Sequence, residues 1–252
     1  MSGGAGGGCD RTMKRFWREA NAASGEGGWS VLLDGRPVRL PSGSRLQVES
    51  RALADAIAAE WRAAGGGVGG EMGYGDVPLT RLAGTAQERI APDREAVVAQ
   101  LARYGESDLL CYRADAPAVL AVRQDRAWQP WLDWAAAALG ARLRVTAGVV
   151  HVAQEPTALA ALARAVAAQD AWGLAALGVL VPALGSLVLG LAVASAALTS
   201  GEAFAAATVD ETYQSELWGE DAEAAARRTR VREDVALAER FLRLAHGGSA
   251  TS

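Results

Sequence analysis

The sequence predicts an α+β protein: a small β-rich N-terminal domain followed by an all-helical C-terminal domain. Three observations carry that expectation. Between Phe16 and Val48, short β-prone runs are separated by turn residues, of which Asp34-Gly35 is the strongest pair. Beyond about Gly105, helix formers dominate and apolar residues recur at helical spacing. From Ala171 to Gly201 there is no charged residue, as suits helices buried on every side.

The elements follow in order. Residues 1–13 are Gly-rich and read as a flexible N-terminus; the β-rich domain spans 14–105 and the helical domain 106–246. Trp29-Ser-Val-Leu-Leu33, the Asp34-Gly35 turn and Arg36-Pro-Val-Arg-Leu40 read as a hairpin. Pro41-Ser-Gly-Ser44 makes a second turn, and Leu46-Gln-Val48 resumes extended structure. Ser50 is placed to cap a helix whose apolar face is Leu53, Ala54, Ile57, Ala58 and Trp61. Gly65 to Gly75 reads as a mobile loop; its spacing fits neither dinucleotide nor P-loop fingerprints. Pro78-Leu-Thr-Arg-Leu-Ala83 leads into a helical stretch through about Tyr104, and helix is expected again from Gln124 to Leu139 with Pro130 in its first turn. Trp128, Trp131 and Trp134 share one side of that helix and read as packing residues. A short β-like interruption at Thr146–Val152 precedes further helices from Thr157 to about Ala245. The last, from Glu220 to Leu244, should bury Ala224, Val231, Val235, Ala238, Phe241 and Leu242.

Composition excludes several function classes. Net charge is −4 with acids and bases interleaved, so no basic stripe points to nucleic acid. Cys9 and Cys111 make no disulfide framework, and the N-terminus has no apolar signal region; a reducing, cytoplasmic location is expected. The uncharged run is long enough to cross a membrane, but Pro182 and Gly185 break it near the middle and neither flank carries a basic cluster. Two buried helices joined around Pro182-Ala-Leu-Gly185 fit it better.

Chemistry is sparse. His151 lies between valines and reads as structural; His246 falls at a frayed C-terminus. No His or Cys pair has metal-ligand spacing, and Ser186 has no nucleophile elbow around it. Neither a metal nor another cofactor is expected. The most informative stretch is Tyr213 to Glu223. There Glu216, Glu220, Asp221 and Glu223 surround Trp218-Gly219, just before Arg227 and Arg228. Carboxylates beside a large aromatic make a recognition surface, and Asp221 and Glu223 also suit a helix N-terminus. Paired acids could serve a small hydrolase through Glu216, Glu220 and Asp221, given a cleft and one acid of raised pKa. A membrane-associated assembly factor is the other alternative.

The chain resembles the bacterial branch of the ATP12 family, assembly chaperones of the F1 sector of ATP synthase. The residues that carry the resemblance are Lys14-Arg-Phe-Trp17, Leu33-Asp-Gly-Arg-Pro37, Ala59-Glu-Trp61, Pro78-Leu-Thr-Arg-Leu82 and Asp108-Leu-Leu-Cys-Tyr-Arg113. They continue through Arg123-Gln124, Trp128, Thr146-Ala-Gly148, Gly185-Ser-Leu-Val-Leu189 and Trp218-Gly-Glu-Asp221. The segment before Pro78 is more Gly-rich than the family pattern. The resemblance implies a two-part α+β architecture, binding of the F1 α subunit before it meets β, no catalysis, and a functional acid in the helical domain. On that basis the expected partner-binding residues are Glu216, Trp218, Gly219, Glu220, Asp221, Glu223, Arg227 and Arg228. Trp61 is expected to anchor the two domains, with Arg36 and Arg81 on the surface between them.

Overall fold

Asp34 and Gly35 take φ of 46° and 79°, the left-handed pair that a type I′ turn requires. The turn joins β3 (Gly28–Leu33) to β4 (Arg36–Pro37), with Leu33 opposite Arg36. The Asp34 carboxylate accepts the backbone N–H of Glu19 at 2.9 Å and of Arg18 at 3.1 Å, and these bonds hold its pKa below the ordinary aspartate value. The computed structural model describes residues 12–148 and 150–247. Most of the predicted flexible N-terminus, including Cys9, lies outside the described residues.

The described residues pack as two units. One contains the chain up to Thr85 together with the segment from Leu244; the other is Ala86–Arg243. The composition shift near Gly105 therefore lies inside the second unit. It marks where β structure stops being encoded, whereas the division between units depends on what the intervening helices pack against.

In the first unit, β2 (Ala20–Gly25), β3 and β4 form an antiparallel sheet, and β5 (Gln47–Val48) also pairs with β3. The helix α1 (Arg51–Ala63) packs on β2 and β3 through the five apolar residues its spacing predicts, and Ser50 caps it by accepting from the Leu53 N–H. Its far end is closed by the buried Arg15, whose Nη1 donates to the carbonyls of Arg62 (2.7 Å) and Ala64 (3.1 Å). A cation there satisfies carbonyls that the helix itself leaves open. Trp61 sits inside this unit: its ring meets Trp17 edge-on at 5.0 Å, and its Nε1 donates to Thr80 Oγ1 at 2.9 Å. It is a core residue of the first unit, with its polar tip satisfied there. Arg36 and Arg81 are exposed.

The Gly65–Gly75 segment is more ordered than its composition suggests. It contributes β6 (Glu71–Met72), which pairs with β1 (Met13–Lys14), and a helical turn at Tyr74–Asp76. Two backbone bonds tie Arg15 to Gly69 and Gly70. A Cβ on Gly70 would stand 1.8 Å from the Gly65 carbonyl oxygen, so the glycines serve close backbone packing. The helix α2 (Pro78–Thr85) completes the unit; the Glu60 carboxylate accepts from the N–H of Leu79 (2.7 Å) and Thr80 (3.2 Å) at its first turn.

The second unit is helical around a buried hairpin. α6 (Ala171–Leu184) ends on Gly185 at φ 63°, and Ser186 caps α7 (Leu187–Ala194) by accepting from the Leu189 N–H at 3.0 Å. No helix among the described residues is long and apolar enough to cross a membrane. Around this hairpin stand α3 (Arg94–Ala102), α4 (Ala118–Trp134), α5 (Pro156–Ala167), α8 (Ser200–Ala207), α9 (Val209–Trp218) and α10 (Ala222–His246). Two short strands, β7 (Tyr112–Arg113) and β8 (Thr146–Ala147), pair in parallel.

Three expectations change here. Pro130 lies inside α4, because that helix starts at Ala118; Pro130 is exposed, so the backbone bond it forfeits falls on the solvent side. His246 is the last residue of α10 rather than part of a frayed end. His151 is exposed rather than set in an apolar strand, and its Nδ1 is 3.2 Å from the Tyr112 hydroxyl. Trp128 is buried and donates from Nε1 to the Ala206 carbonyl at 2.7 Å, while Trp131 and Trp134 are half-buried.

Candidate functional site

The stretch singled out in the sequence forms a corner between α9 and α10. α9 stops at Gly219, whose φ of 85° and ψ of 165° belong to a region open almost only to glycine. Its N–H closes on the Ser215 carbonyl at 3.0 Å. The chain turns through Glu220, and the Asp221 carboxylate accepts the Ala224 N–H at 3.0 Å to begin α10. Trp-Gly is therefore a fixed junction, and Asp221 is a helix cap. Glu223 lies in the first turn of α10, exposed, where the helix dipole favours a negative charge.

The corner leaves apolar surface in solvent. Trp218 is 82% exposed and Leu217 is 55% exposed. Neither has a core to join, since α9 buries only Tyr213. The flanking charges are held in pairs. Glu216 bonds Arg123 at 2.6 Å, and the Arg123 guanidinium also lies 5.2 Å from the centre of the Tyr213 ring. Glu220 pairs with Arg228, and Arg227 pairs with Glu211 at 2.8 Å.

The four predicted acids thus have separate duties and do not converge on one point. A hydrolase built on them would need an acid of raised pKa. Asp108, whose carboxyl burial holds above the ordinary aspartate value, lies away from the corner and is wholly enclosed, accepting from the N–H of Leu110 and Val188 at 3.0 Å. Among the described residues, no group of three His, Cys, Asp or Glu side chains is placed to hold a metal ion.

The first half of α10 is less covered than its apolar pattern predicts. Val235, Ala238, Phe241 and Leu242 are buried as expected, but Ala224 and Val231 are only half-buried. That half of the helix forms one wall of an open groove of about 790 Å³, completed by α8, α9 and Arg123 of α4. Sequence reasoning missed this groove and three of its participants: Arg123, Phe204 and Arg232. No local signal could have found Arg123, which is 93 residues from the glutamate it pairs with. Arg232 stacks on Phe204 at 4.8 Å from the ring centre, 28 positions away in the chain.

Comparison with known proteins gives one family. The family described as ATP12 chaperone protein matches residues 14–136. A crystal structure of Atp12 from Paracoccus denitrificans is 44% identical, superposes with a TM-score of 0.86, and is matched over 92% of this chain and 98% of its own. An aspartate-to-lysine mutant of the same protein matches equally well, with 44% identity and a TM-score of 0.86 over 92% of this chain and 97% of its own. An Agrobacterium tumefaciens protein proposed to be a chaperone is 40% identical, with a TM-score of 0.85 over 93% of this chain and 86% of its own.

Proposed function

Because this chain belongs to the ATP12 chaperone family, we propose that it binds the unassembled α subunit of the F1 ATP synthase in the cytoplasm and shields the surface that subunit later buries in the assembly. The observation that carries this reading is the α9–α10 corner, where Trp218 and Leu217 stand in solvent on a turn that only glycine allows. An apolar surface waiting for a neighbour aggregates. A holding protein covers such a surface with rigid aromatic area and orients it with charges at the rim. Trp218 and Leu217 supply the area; Glu216, Glu220, Glu223, Arg227 and Arg228 supply the rim.

On this reading no covalent bond is made or broken. The ion pairs Arg123–Glu216, Arg228–Glu220 and Arg227–Glu211 keep the corner's shape before the client arrives, which lowers the entropy lost on binding. Arg123–Glu216 and Arg227–Glu211 are substantially exposed on both sides, so each is worth little to folding, while Arg228 of the third pair is half-buried. They remain available to exchange partners with the client.

Co-expression with F1 α tests the proposal. The wild-type chain should keep F1 α in the soluble fraction. Trp218→Ala should lose most of that effect while melting at the wild-type temperature, because an 82% exposed side chain contributes little to the core. Glu216→Lys should weaken it by setting two cations, Arg123 and the new lysine, side by side. Full retention of F1 α by both variants would remove the corner from the binding site.

A further inference from the structure

Resting on the chaperone reading above, we infer that the groove between α8, α9 and the first half of α10 takes a carboxylate-bearing segment of the client polypeptide, with the Arg232 guanidinium as its anchor. The charge balance is the first argument. The chain as a whole carries −4, yet the groove is lined by three arginines, Arg123, Arg228 and Arg232, against one carboxylate, Glu220. Arg123 and Arg228 already have carboxylate partners. Arg232 makes no ion pair among the described residues; it is exposed, and its guanidinium carbon stands over the Phe204 ring at 4.8 Å from the centre. A guanidinium held over a ring makes no hydrogen bond to it, so its N–H groups remain available for the fork that bonds a carboxylate through two parallel hydrogen bonds.

The remaining lining decides between a polypeptide and a small anion. The hydroxyls of Thr208 and Thr229 donate to the carbonyls of Phe204 (2.8 Å) and Ala225 (3.0 Å) within their own helices, which leaves their oxygens free to accept a backbone N–H. Beside them the groove is walled by an apolar strip of Ala205, Val209 and Ala225. A phosphate ion would occupy a small part of about 790 Å³ and leave that strip wet. A peptide segment with an acidic side chain uses all three features: a carboxylate for Arg232, backbone N–H groups for the threonines, and apolar contact for the strip. Glu220 lines the groove and stands two residues from Trp218, so a client resting on the exposed indole continues directly into it.

The test uses the full chain and F1 α, titrated against each other, with thermal melts as the folding control. Arg232→Ala should weaken binding about tenfold and Arg232→Glu about a hundredfold, with Arg232→Lys between wild type and Arg232→Ala. Thr229→Glu, on the exposed side of α10 one turn before Arg232, should weaken binding about tenfold by filling the anion position from within. It is the second route should Arg232→Glu fold poorly. If the wild-type chain does not bind F1 α, the function reading itself falls. Should the wild type bind while Arg232→Glu and Thr229→Glu bind as tightly, the groove inference falls alone. Two further results would also overturn it: inorganic phosphate binding that depends on Arg232 while client binding does not, or self-association that Arg232→Glu abolishes with client binding untouched.

Discussion

Asp108 shows how one buried carboxylate sets the local structure of the helical unit. Its two oxygens accept from the N–H groups of Leu110 and Val188, 78 positions apart, joining the turn before β7 to the first turn of α7. Burial raises its pKa above the ordinary aspartate value of about 3.8, against the pull of those hydrogen bonds. The unfolded chain therefore releases this proton at lower pH than the folded chain does. As pH rises from about 3.8 towards the raised folded value, Asp108 costs progressively more stability, and below that window the cost is absent. Asp108→Ala should orphan both N–H groups and lower stability at neutral pH by about 2–4 kcal/mol. It should also flatten the acid side of the stability–pH curve; chemical denaturation at a series of pH values measures both. A variant as stable as wild type at pH 7 would show that water replaces the carboxylate. Nearby, burial pushes the Cys111 thiol up to about 12, so that cysteine is an inert packing residue at physiological pH.

At the scale of elements, the decisive feature is the turn between α9 and α10. Gly219 has nothing within 4 Å of a virtual Cβ, so space does not demand glycine there; the backbone conformation does. Gly219→Ala should cost about 1–2 kcal/mol in the helical unit. It should also weaken retention of F1 α, because relaxing the turn re-aims Trp218 relative to α10. A variant with wild-type stability and wild-type retention would show that the corner tolerates another turn. The α6–α7 hairpin illustrates the opposite case, in which local signals suffice. Gly185 breaks the uncharged run in the left-handed cap, with Pro182 still inside α6; Ser186 starts the next helix, and α7 is buried almost throughout. α4 is intermediate. Its tryptophan spacing is legible, but the start at Ala118 is not, because residues 118–123 pair apolar positions with Arg123 in no clear helical period.

For the molecule as a whole, the chain's last described residues fold with its first unit. Leu244 and its successors belong to that unit, where the Ser50 hydroxyl, already the cap of α1, donates to the Leu244 carbonyl at 2.6 Å. Deleting the chain from Leu244 onward should therefore destabilise the N-terminal unit, although Leu244 lies 196 positions after Val48, the last residue of its four-stranded sheet. Limited proteolysis should cut between Met13 and Thr85 faster in the truncated chain. Equal protection of that region in both proteins would show that the C-terminal segment contributes no stability there. The family assignment belongs to this scale too, since it rests on an ordered set of motifs and on a superposition that covers 92% of the chain.

The sequence by itself determined the α+β class, the Asp34-Gly35 hairpin, the capped helix at Ser50, the broken apolar run and the family. These are written in residues close together in the chain, where a turn conformation or an apolar period has a local cause. β2 falls inside the stretch read as β structure, but its bounds were not legible, because Ala20–Gly25 is a poor strand former that becomes a strand only by pairing with β3. Tertiary structure alone decided which acids pair with which arginines, that Trp61 turns into the first unit's core, and that α10 leaves its first half half-covered. It also placed Arg232 over Phe204 and Arg123 against Glu216. Those outcomes depend on distances between side chains tens of positions apart, which no local pattern encodes.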